Sequence, residues 1–369
     1  MLGRLRKANE RFLPGHLAFG PTHVVLGVNN FCNLRCMMCD VGTENEDTNF
    51  GANLVGAKAR YMPLDLFQRI VAEIKAFCPT AHLALAFTEP LAWPLLDDAL
   101  SHARDNGLHV SVTTNGLLLE RHANALANGA CRYLSVSLDG PEDVHDRIRR
   151  RNGSYAKAVA GIRAVAAKKD PPRISVYGAI SEFNVGSLRQ FLRDMSGLPL
   201  ERVGLLHNIF VTGPQAEDHN RLYDGDLHAT PSNVFLSDPA KIDLELLSAE
   251  LSEIAATDYP FPVVIQPNLT SLSDLEIYYR KPEVFIGRRC IDANRMIMID
   301  SDGEAIPVHG RCFRFPIANI RNRSLAEIWR HPKLAEMRRA LHRAGGLLPA
   351  CSRCCSGFGG AIPRNTAVV

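Results

Sequence analysis

The alternation of short apolar runs with amphipathic segments between residues 23 and 211 most restricts the fold of this 369-residue chain. Most runs are apolar or small throughout, as expected of strands buried on both faces. The predicted strands are 23–29, 82–87, 109–115, 133–138, 173–180 and 203–211. Apolar residues at helical spacing in 64–78, 117–129 and 154–169 predict helices between them. Repeated strand–helix units predict an α/β fold with a parallel sheet, and leave open whether the strands form an open sheet or a partial barrel.

The chain changes character after the last of these runs. Residues 212–233 are polar, carry both charge signs and are rich in turn-forming residues, so they are predicted to form a loop. A smaller α+β unit follows, with an apolar run at 295–300 and a helix that begins with a capping box at Ser324. The expected divisions are an N-terminal extension 1–20, an α/β unit 21–215, a connecting segment 216–284 and a small C-terminal unit 285–369.

Composition and charge exclude several classes of protein. The net charge of +3 provides little attraction for nucleic acid or an anionic membrane. The N-terminus lacks the apolar run of a signal peptide, and no stretch approaches the ~18 apolar residues of a membrane span. We therefore expect a cytoplasmic protein with neither nucleic acid nor membrane as a partner. In that reducing compartment ten cysteines do not predict a disulfide framework.

The first group of cysteines is Cys32, Cys36 and Cys39, directly after the first predicted strand. A parallel sheet normally places its site at this edge. Three thiolates are one ligand short of closing a tetrahedral zinc site or a cubane cluster, so they suit a metal centre with an open position. A structural zinc loop with a distant fourth ligand, or simple packing, remains an alternative. The isolated Cys78 and Cys131 are predicted to be buried packing residues.

The C-x3-C-x2-C spacing at the end of a first strand resembles the radical S-adenosylmethionine (SAM) superfamily. Further segments at strand ends carry the same resemblance: FTEP (87–90), TTNG (113–116), SVSLDGPEDVHDRIRR (135–150) and AISEFN (179–184). The resemblance implies a partial (β/α)6 barrel with a 4Fe–4S cluster on Cys32, Cys36 and Cys39, whose open iron binds SAM. A reductant such as flavodoxin or ferredoxin would supply the electron that cleaves SAM to methionine and a 5′-deoxyadenosyl radical. That radical would abstract a substrate hydrogen atom.

The same resemblance implies the contacts of SAM. Glu89 is expected to accept a hydrogen bond from the methionyl ammonium group. Ser137 and Arg149 are expected to hold SAM further along, with Arg149 paired to its carboxylate. Asn115 and Asp139 are expected to be neighbours of SAM. Without the resemblance, Arg149 would be interpreted as part of a solvated basic run.

Two positions depart from the family pattern. Phe87 and Thr88 stand where paired glycines are usual, which puts the close approach of the backbone to SAM in question. The Thr88 hydroxyl is a substitute donor. Met38 stands where an aromatic residue is common, and its thioether is expected to pack on adenine.

The second group of cysteines lies in the C-terminal unit. Segments 290–308, 315–329 and 349–355 resemble the auxiliary-cluster extension of radical SAM enzymes, the SPASM/twitch group. The resemblance implies one auxiliary 4Fe–4S cluster, with a zinc ribbon-like site as the alternative. Its expected ligands are Cys290, Cys312, Cys351 and Cys354. Cys355 is either a hydrogen-atom donor, a spare ligand or a packed thiol.

Ligation by four thiolates leaves no iron open for substrate, so the auxiliary cluster is expected to relay electrons. This favours oxidation, such as alcohol to ketone, and leaves epimerisation open. The expected substrate is a sugar, aminocyclitol or nucleoside-type small molecule in a biosynthetic pathway, contacted by polar residues after the sixth strand such as His207 and Asn208. The alternatives are a peptide- or protein-modifying maturase, a non-catalytic iron–sulfur electron carrier and a zinc-binding interaction module.

Overall fold

The structure, a computed structural model, describes residues 2–56 and 58–358. Met1 and residues 359–369, which belong to the expected first and last divisions, lie outside the described residues. The described strands are β1 (His23–Leu26), β2 (His82–Leu85), β3 (Val110–Thr114), β4 (Cys131–Ser137), β5 (Arg173–Ile180), β6 (Arg202–His207), β7 (Val263–Gln266), β8 (Met296–Ile299) and β9 (Ala305–Pro307). The described α-helices are α1 (Leu2–Phe12), α2 (Asn49–Leu54), α3 (Leu64–Phe77), α4 (Leu96–Asp105), α5 (Leu119–Leu126), α6 (Glu142–Arg149), α7 (Ser154–Ala166), α8 (Leu188–Met195), α9 (Gly213–Leu222), α10 (Leu244–Ala255), α11 (Leu272–Arg280), α12 (Leu325–Trp329) and α13 (Pro332–Arg343).

Strands β1 to β6 form a parallel sheet in which sequence neighbours are also spatial neighbours. Each predicted strand is present, and helices lie between consecutive strands as the alternating pattern predicts. The strands are nearly continuous in buried apolar residues; in β1, for example, Val24, Val25 and Leu26 are fully buried. The predicted α/β class is confirmed, and the strand order places the carboxyl ends of six strands at one edge.

The sheet extends beyond these six strands at both sides. β7 pairs in parallel with β6, and β8 pairs in parallel with β1. β9 then pairs antiparallel with β8 as a short hairpin. The predicted strand at 295–300 is therefore present, but it continues the main sheet instead of forming a separate one. The division of the chain at residue 285 stays a prediction.

Two buried tryptophans tie distant segments to this sheet. Trp93 donates its indole N–H to the Met62 carbonyl at 2.9 Å, and Trp329 in α12 donates to the Phe19 carbonyl at 2.9 Å. Both side chains are fully buried, and burial of an aromatic ring of this size is worth about 1.5–3 kcal/mol or more. The C-terminal helices are thus fixed to the N-terminal extension. Within the part of the chain that is described, no helix is long and apolar enough to cross a membrane.

The prediction of a continuous loop over 212–233 is wrong at its start, where α9 forms. Thr212 accepts from the Gln215 amide while the Gln215 side chain accepts from Thr212, which is a capping box. Asp218 and Arg221 of this helix pair with each other at the surface. Other polar side chains of the helix bond outside it: His219 to the Leu227 carbonyl and Asn220 to the Ala229 backbone. The T-x-x-Q sequence is the local signal for the beginning of the helix.

Candidate active site

A cavity of about 240 Å³ lies at the carboxyl ends of β1 to β6, and every one of these strands or the loop after it contributes to its wall. The structure brings most of the predicted site residues together here. The wall includes Cys32, Cys36, Met38, Cys39, Thr88, Glu89, Asn115, Ser137, Arg149, His207 and Asn208. We call this space the first thiol cavity. Asp139 is fully buried and lies behind Arg149.

Glu89 is the best-connected acid of the first thiol cavity. Its Oε1 accepts from the Leu91 amide at 2.9 Å and from the Thr114 hydroxyl at 2.8 Å, while Oε2 accepts from the Asn115 amide at 2.8 Å. Burial raises the pKa of Glu89, and these hydrogen bonds act in the opposite direction. A carboxylate has about four lone-pair positions, so one remains to receive a further donor from the cavity.

Arg149 is one of two arginines in the wall of the cavity, and it is buried. Its Nε donates to Asp139 Oδ2 at 2.5 Å, and its Nη1 lies 3.6 Å from Cys36 Sγ. Burial acts to lower the pKa of Arg149, but Asp139 and Cys36 outweigh it and the pKa lies above the ordinary value. Burial raises the pKa of the Cys36 thiol to about 11, although Arg149 opposes the shift. The expected pairing of Arg149 with a SAM carboxylate stays a prediction.

The loop that carries the three thiols is fixed on two sides. Asp40, next to Cys39, accepts hydrogen bonds from the Asn233 amide at 2.9 Å and from the Ser232 hydroxyl at 2.8 Å. On the other side, the Met37 amide donates to the Ile148 carbonyl at 3.0 Å. The connecting segment and α6 therefore hold the loop, so its thiols are positioned before any metal binds.

The first thiol cavity has the donors and acceptors that SAM and a cluster require. In the described residues, Thr88 Oγ1 and Asn208 Nδ2 are buried, lie in the cavity wall and have no hydrogen-bond partner. Buried polar atoms without a partner are uncommon, and these two face the cavity, so they are available to a bound group. Three thiols, an acid with a free acceptor position and two unpartnered polar atoms fit a polar, charged cofactor bound next to a metal centre.

The spacing of the thiols distinguishes a cluster from a single ion. Four sulfurs around one zinc at about 2.3 Å lie only about 3.8 Å apart. Over residues 2–56 and 58–358, one group of three or more donors has all its ligand atoms within 4.8 Å of one another, and it consists of His309, Cys354 and Cys355. Neither predicted ligand set is that compact. Wider sets suit the several irons of a cluster.

A second thiol cavity adjoins the first. Cys290, Cys312, Cys351 and Cys354 all lie in its wall, together with His309. Burial raises the pKa of Cys290 and Cys312 well above the ordinary value and that of Cys351 to about 12. Four half-buried cysteines around one space fit a fully ligated cluster, because coordination to metal removes the protons of their thiols.

Cys354 differs from the other three thiols. Hydrogen bonding from Cys355 is the main cause that lowers the pKa of Cys354 well below its ordinary value, with His309 adding to it. The pKa of Cys355 is raised in turn, so Cys355 is the protonated partner that donates. Cys355 is absent from the walls of both thiol cavities among the described residues. Its role as a hydrogen-atom donor stays a prediction that this position does not support.

Arg353, between the last two predicted ligands, is fully buried and points away from the cavity. Its guanidinium donates to the carbonyls of Tyr278, Val284, Ser352, Ile277 and Lys281 at 2.5–3.1 Å. Three of these carbonyls lie at the C-terminal end of α11, where a cation also complements the helix dipole. The Cys-x-x-Cys segment is therefore fastened to the connecting segment.

Aromatic residues and one arginine separate the two thiol cavities. Phe87, at the position where the family pattern has glycine, has φ +75°, a backbone conformation that favours glycine. Its ring stacks on His309 at 5.7 Å and meets Phe50 edge-on at 6.3 Å. Arg311 lies in both walls and over the Phe50 ring, and its buried Nη1 has no partner in the described residues.

Comparison with known proteins agrees with this arrangement. The family model of the radical SAM superfamily matches residues 26–195, and that of the SPASM iron–sulfur cluster-binding domain matches residues 290–355. The fold and the two thiol cavities define an α/β iron–sulfur protein. The chain belongs to the radical SAM superfamily and carries a C-terminal SPASM domain. Its cofactors are SAM and 4Fe–4S clusters.

Several relatives match over most of the chain. A pre-heme d1 synthase from Dinoroseobacter shibae is 24% identical over 89% of this chain and 78% of that protein. An AdoMet-dependent heme synthase from Methanosarcina barkeri is 23% identical over 88% of this chain and 85% of that protein. For the Fe-coproporphyrin III synthase of Methanosarcina barkeri, 29% identical, the match covers 38% of this chain and only 32% of that protein.

Among solved structures, Streptococcus suis SuiB bound to the precursor peptide SuiA aligns with a TM-score of 0.62 at 14% identity. The alignment covers 97% of this chain and 75% of SuiB. At that identity the likeness concerns the fold alone.

Proposed function

We propose that this radical SAM enzyme oxidises a small molecule in a dehydrogenase-type reaction. The observation that carries the proposal is that the two thiol cavities adjoin, with Arg311 in both walls. A substrate in the first cavity would then lie beside an electron acceptor in the second. A non-catalytic electron carrier needs neither the Glu89 hydrogen-bond network nor a buried arginine beside a thiol.

In the proposal, Cys32, Cys36 and Cys39 hold the SAM-binding cluster, and Glu89 accepts from the ammonium group of SAM. SAM and this cluster supply, when bound, reductive cleavage to methionine and a 5′-deoxyadenosyl radical, which removes one hydrogen atom from the substrate. The auxiliary cluster, held by Cys290, Cys312, Cys351 and Cys354, supplies a one-electron acceptor as the substrate also releases a proton. Together these losses amount to a two-electron oxidation of the substrate, and a flavodoxin- or ferredoxin-type donor provides the electron that cleaves SAM.

The first candidate substrate is a sugar, aminocyclitol or nucleoside-type molecule. Asn208 supports it, because its unpartnered amide in the cavity wall suits a hydroxylated ligand. His207, the last residue of β6, was also expected to contact substrate. Both of its ring nitrogens are already bonded, one to the Tyr279 hydroxyl at 2.8 Å and the other to the Leu269 carbonyl at 2.9 Å, so His207 does not support this candidate.

The second candidate is a heme-type molecule with carboxylate side chains. The two relatives that match almost 90% of this chain are named for heme synthesis. The unpartnered Arg311 Nη1 between the cavities suits a carboxylate. Epimerisation or modification of a peptide has no comparable observation in its favour.

The first experiment uses anaerobically reconstituted protein. We expect about eight irons per chain in the wild type and about four in a Cys32→Ala/Cys36→Ala/Cys39→Ala variant, corresponding to two and one 4Fe–4S clusters. With SAM and dithionite, 5′-deoxyadenosine should form only in the wild type. A Cys78→Ala/Cys131→Ala variant is the matched control, because it removes two buried thiols far from both cavities and should keep the iron and the activity. Zinc in place of iron, or two clusters without SAM cleavage, would contradict the proposal.

The second experiment identifies the substrate class. Substrates deuterated at carbon, drawn from sugars, aminocyclitols, nucleosides and coproporphyrin-type tetrapyrroles, are incubated with SAM and reductant. The true class transfers deuterium into 5′-deoxyadenosine and yields a product lacking two hydrogens. Deuterium in 5′-deoxyadenosine together with a product of unchanged hydrogen content, inverted at the labelled carbon and carrying a solvent-derived hydrogen there, would indicate epimerisation instead.

A further inference from the structure

His309 lies at the boundary between the two thiol cavities and touches a residue of each. Its ring stacks on Phe87, which lies in the wall of the first cavity, with an angle of 25° between the planes. Its Nε2 lies 3.7 Å from the sulfur of Cys354 in the second cavity. His309 itself is almost fully buried.

The hydrogen bonds of His309 assign its tautomer. The backbone N–H of Arg311 donates to Nδ1 at 3.2 Å, so Nδ1 is the acceptor and the ring proton lies on Nε2. Nε2–H therefore faces Cys354 Sγ, with the hydroxyl of Ser356 at 3.5 Å as a secondary neighbour. A fixed tautomer of this kind is how residues around a metal centre orient and tune its ligands.

The backbone on both sides of this contact is held in an unfavourable conformation. Phe87 has φ +75° and Val308 has φ +66°, both in the left-handed region. Such residues cost about 1–3 kcal/mol each, and a β-branched residue there is a strong outlier. Of the five non-glycine residues with positive φ in the described part of the chain, one is the residue that stacks on His309 and another is the residue that precedes it. Backbone strain is thus present at Phe87 and Val308, the two residues that orient the His309 ring.

We propose that His309 is a positioning residue that raises the reduction potential of the auxiliary cluster by donating Nε2–H to the Cys354 sulfur. The inference rests on the proposed function, in which Cys354 is a ligand. A hydrogen bond to a ligand sulfur stabilises the extra negative charge of the reduced cluster and so raises its potential. The stack on Phe87 keeps the imidazole in place, and the cluster becomes a better acceptor for the electron that leaves the substrate.

His309 as an iron ligand is the competing interpretation, since its ligand atom and those of Cys354 and Cys355 lie within 4.8 Å of one another. The two roles differ in a measurable way. A ligand is required for the cluster to assemble with its full iron content, whereas a hydrogen-bond donor changes only the potential and the spectrum.

The test is a potentiometric titration followed by electron paramagnetic resonance on the full-length chain. The Cys32→Ala/Cys36→Ala/Cys39→Ala background isolates the auxiliary cluster. With His309→Phe, which keeps an aromatic ring for the stack, we expect unchanged iron and an approximately tenfold lower ratio of reduced to oxidised cluster at fixed potential. A tenfold change in that ratio corresponds to a reduction potential that is lower by about 59 mV for a one-electron couple. His309→Gln, which retains an N–H donor, should stay closer to the wild type than to His309→Phe.

The matched control is His219→Phe. His219 is also buried and stacked, on Phe313 at 5.2 Å, but it bonds to backbone groups of Leu227 and Ala350 and touches no sulfur. The auxiliary cluster of the His219→Phe variant should have the same reduction potential as the cluster of the triple-alanine background. Loss of iron in His309→Phe, an unchanged potential, or equal shifts in His309→Phe and His309→Gln would each overturn the inference. A background with no four-iron cluster would instead contradict the proposed function.

Discussion

The two thiol cavities are both lined by cysteines, but different polar groups face the sulfur atoms in each cavity. In the first, the charged Arg149 reaches Cys36 while it is paired with Asp139. In the second, the thiol of Cys355 and the Nε2 atom of His309 face Cys354, and the nearby Arg353 is directed to backbone carbonyls. The comparison teaches that a buried ion pair lies beside a thiol in the first cavity, whereas Cys354 in the second cavity is contacted by a thiol and an imidazole.

The largest expected effect comes from breaking the ion pair of the first cavity. Arg149→Met leaves Asp139 buried and unpaired, and we expect the free energy of unfolding to fall by about 3–5 kcal/mol. Denaturant unfolding of the metal-free protein measures it. Arg151→Met, at an exposed position two residues on, is the control and should change stability by less than about 0.5 kcal/mol. A loss below 1 kcal/mol for Arg149→Met, on the order of a solvent-screened pair, would remove the contrast between the cavities.

A smaller effect is expected from Glu89→Gln, which removes the charge of the first cavity's acid and keeps its shape. A hydrogen bond to a charged group is worth about 1.5–3 kcal/mol, so SAM should bind about 10- to 100-fold more weakly. Equilibrium dialysis of SAM under anaerobic conditions measures the affinity, and the auxiliary cluster's potential should not change. The exposed Glu120→Gln is the matched control. Equal SAM affinity in Glu89→Gln and the wild type would show that Glu89 does not contact the ammonium group.

The smallest effect is the dependence of the free energy of unfolding on pH, and the sign of this dependence differs between the two regions. Burial lowers the pKa of His145, beside the first cavity, to about 4, and that of His82 and His207 likewise. Between about 4 and 6.5 the unfolded chain binds protons that the folded chain does not. Proton uptake by these histidines therefore does not lower the free energy of unfolding above pH 6.5. As the pH falls below 6.5 it lowers that free energy, by up to about 2 kcal/mol per histidine at pH 5.

Asp300, after β8 in the C-terminal unit, acts in the opposite direction. Burial raises its pKa to about 6, so the folded chain binds a proton there and the cost of burying the charge is relieved as the pH falls below 6. Hydrogen exchange at pH 7 and pH 5 should therefore show greater loss of protection around α6 than in the β8–β9 hairpin. Asp300→Asn should remove the pH dependence of the hairpin, and equal loss in both regions would contradict the assignment.

Sequence predicted most of the parallel sheet because strands buried on both faces are continuous apolar runs. It did not identify β7, Val263–Gln266, which is short and only partly buried. The sequence also predicted a strand at 295–300, but it did not predict that this strand pairs with β1. That pairing depends on the three-dimensional course of the chain and not on the local sequence pattern. The helix at Gly213–Leu222 was missed although its capping box was present in the sequence.

For the site, spacing and resemblance drew attention to the thiols, Glu89 and Arg149 because their motifs are contiguous. His309, Arg311 and Arg353 were not singled out, since each acts through contacts with segments far along the chain. Each of them had one local signal in the sequence. His309 lies three residues and Arg311 one residue before Cys312, and Arg353 lies between two candidate ligands.

The pairing of β8 with β1 has a mechanical consequence. β1 leads into the loop of Cys32, and β8 with β9 leads into His309 and Cys312, so adjacent hydrogen-bonded strands carry the two thiol cavities. Electron tunnelling slows exponentially with distance, and a shared sheet is among the stiffest spacers a protein can build. In the proposed mechanism, the pairing of β1 with β8 therefore fixes the starting points of the segments that lead to the two centres, which limits changes in the distance that an electron must cross.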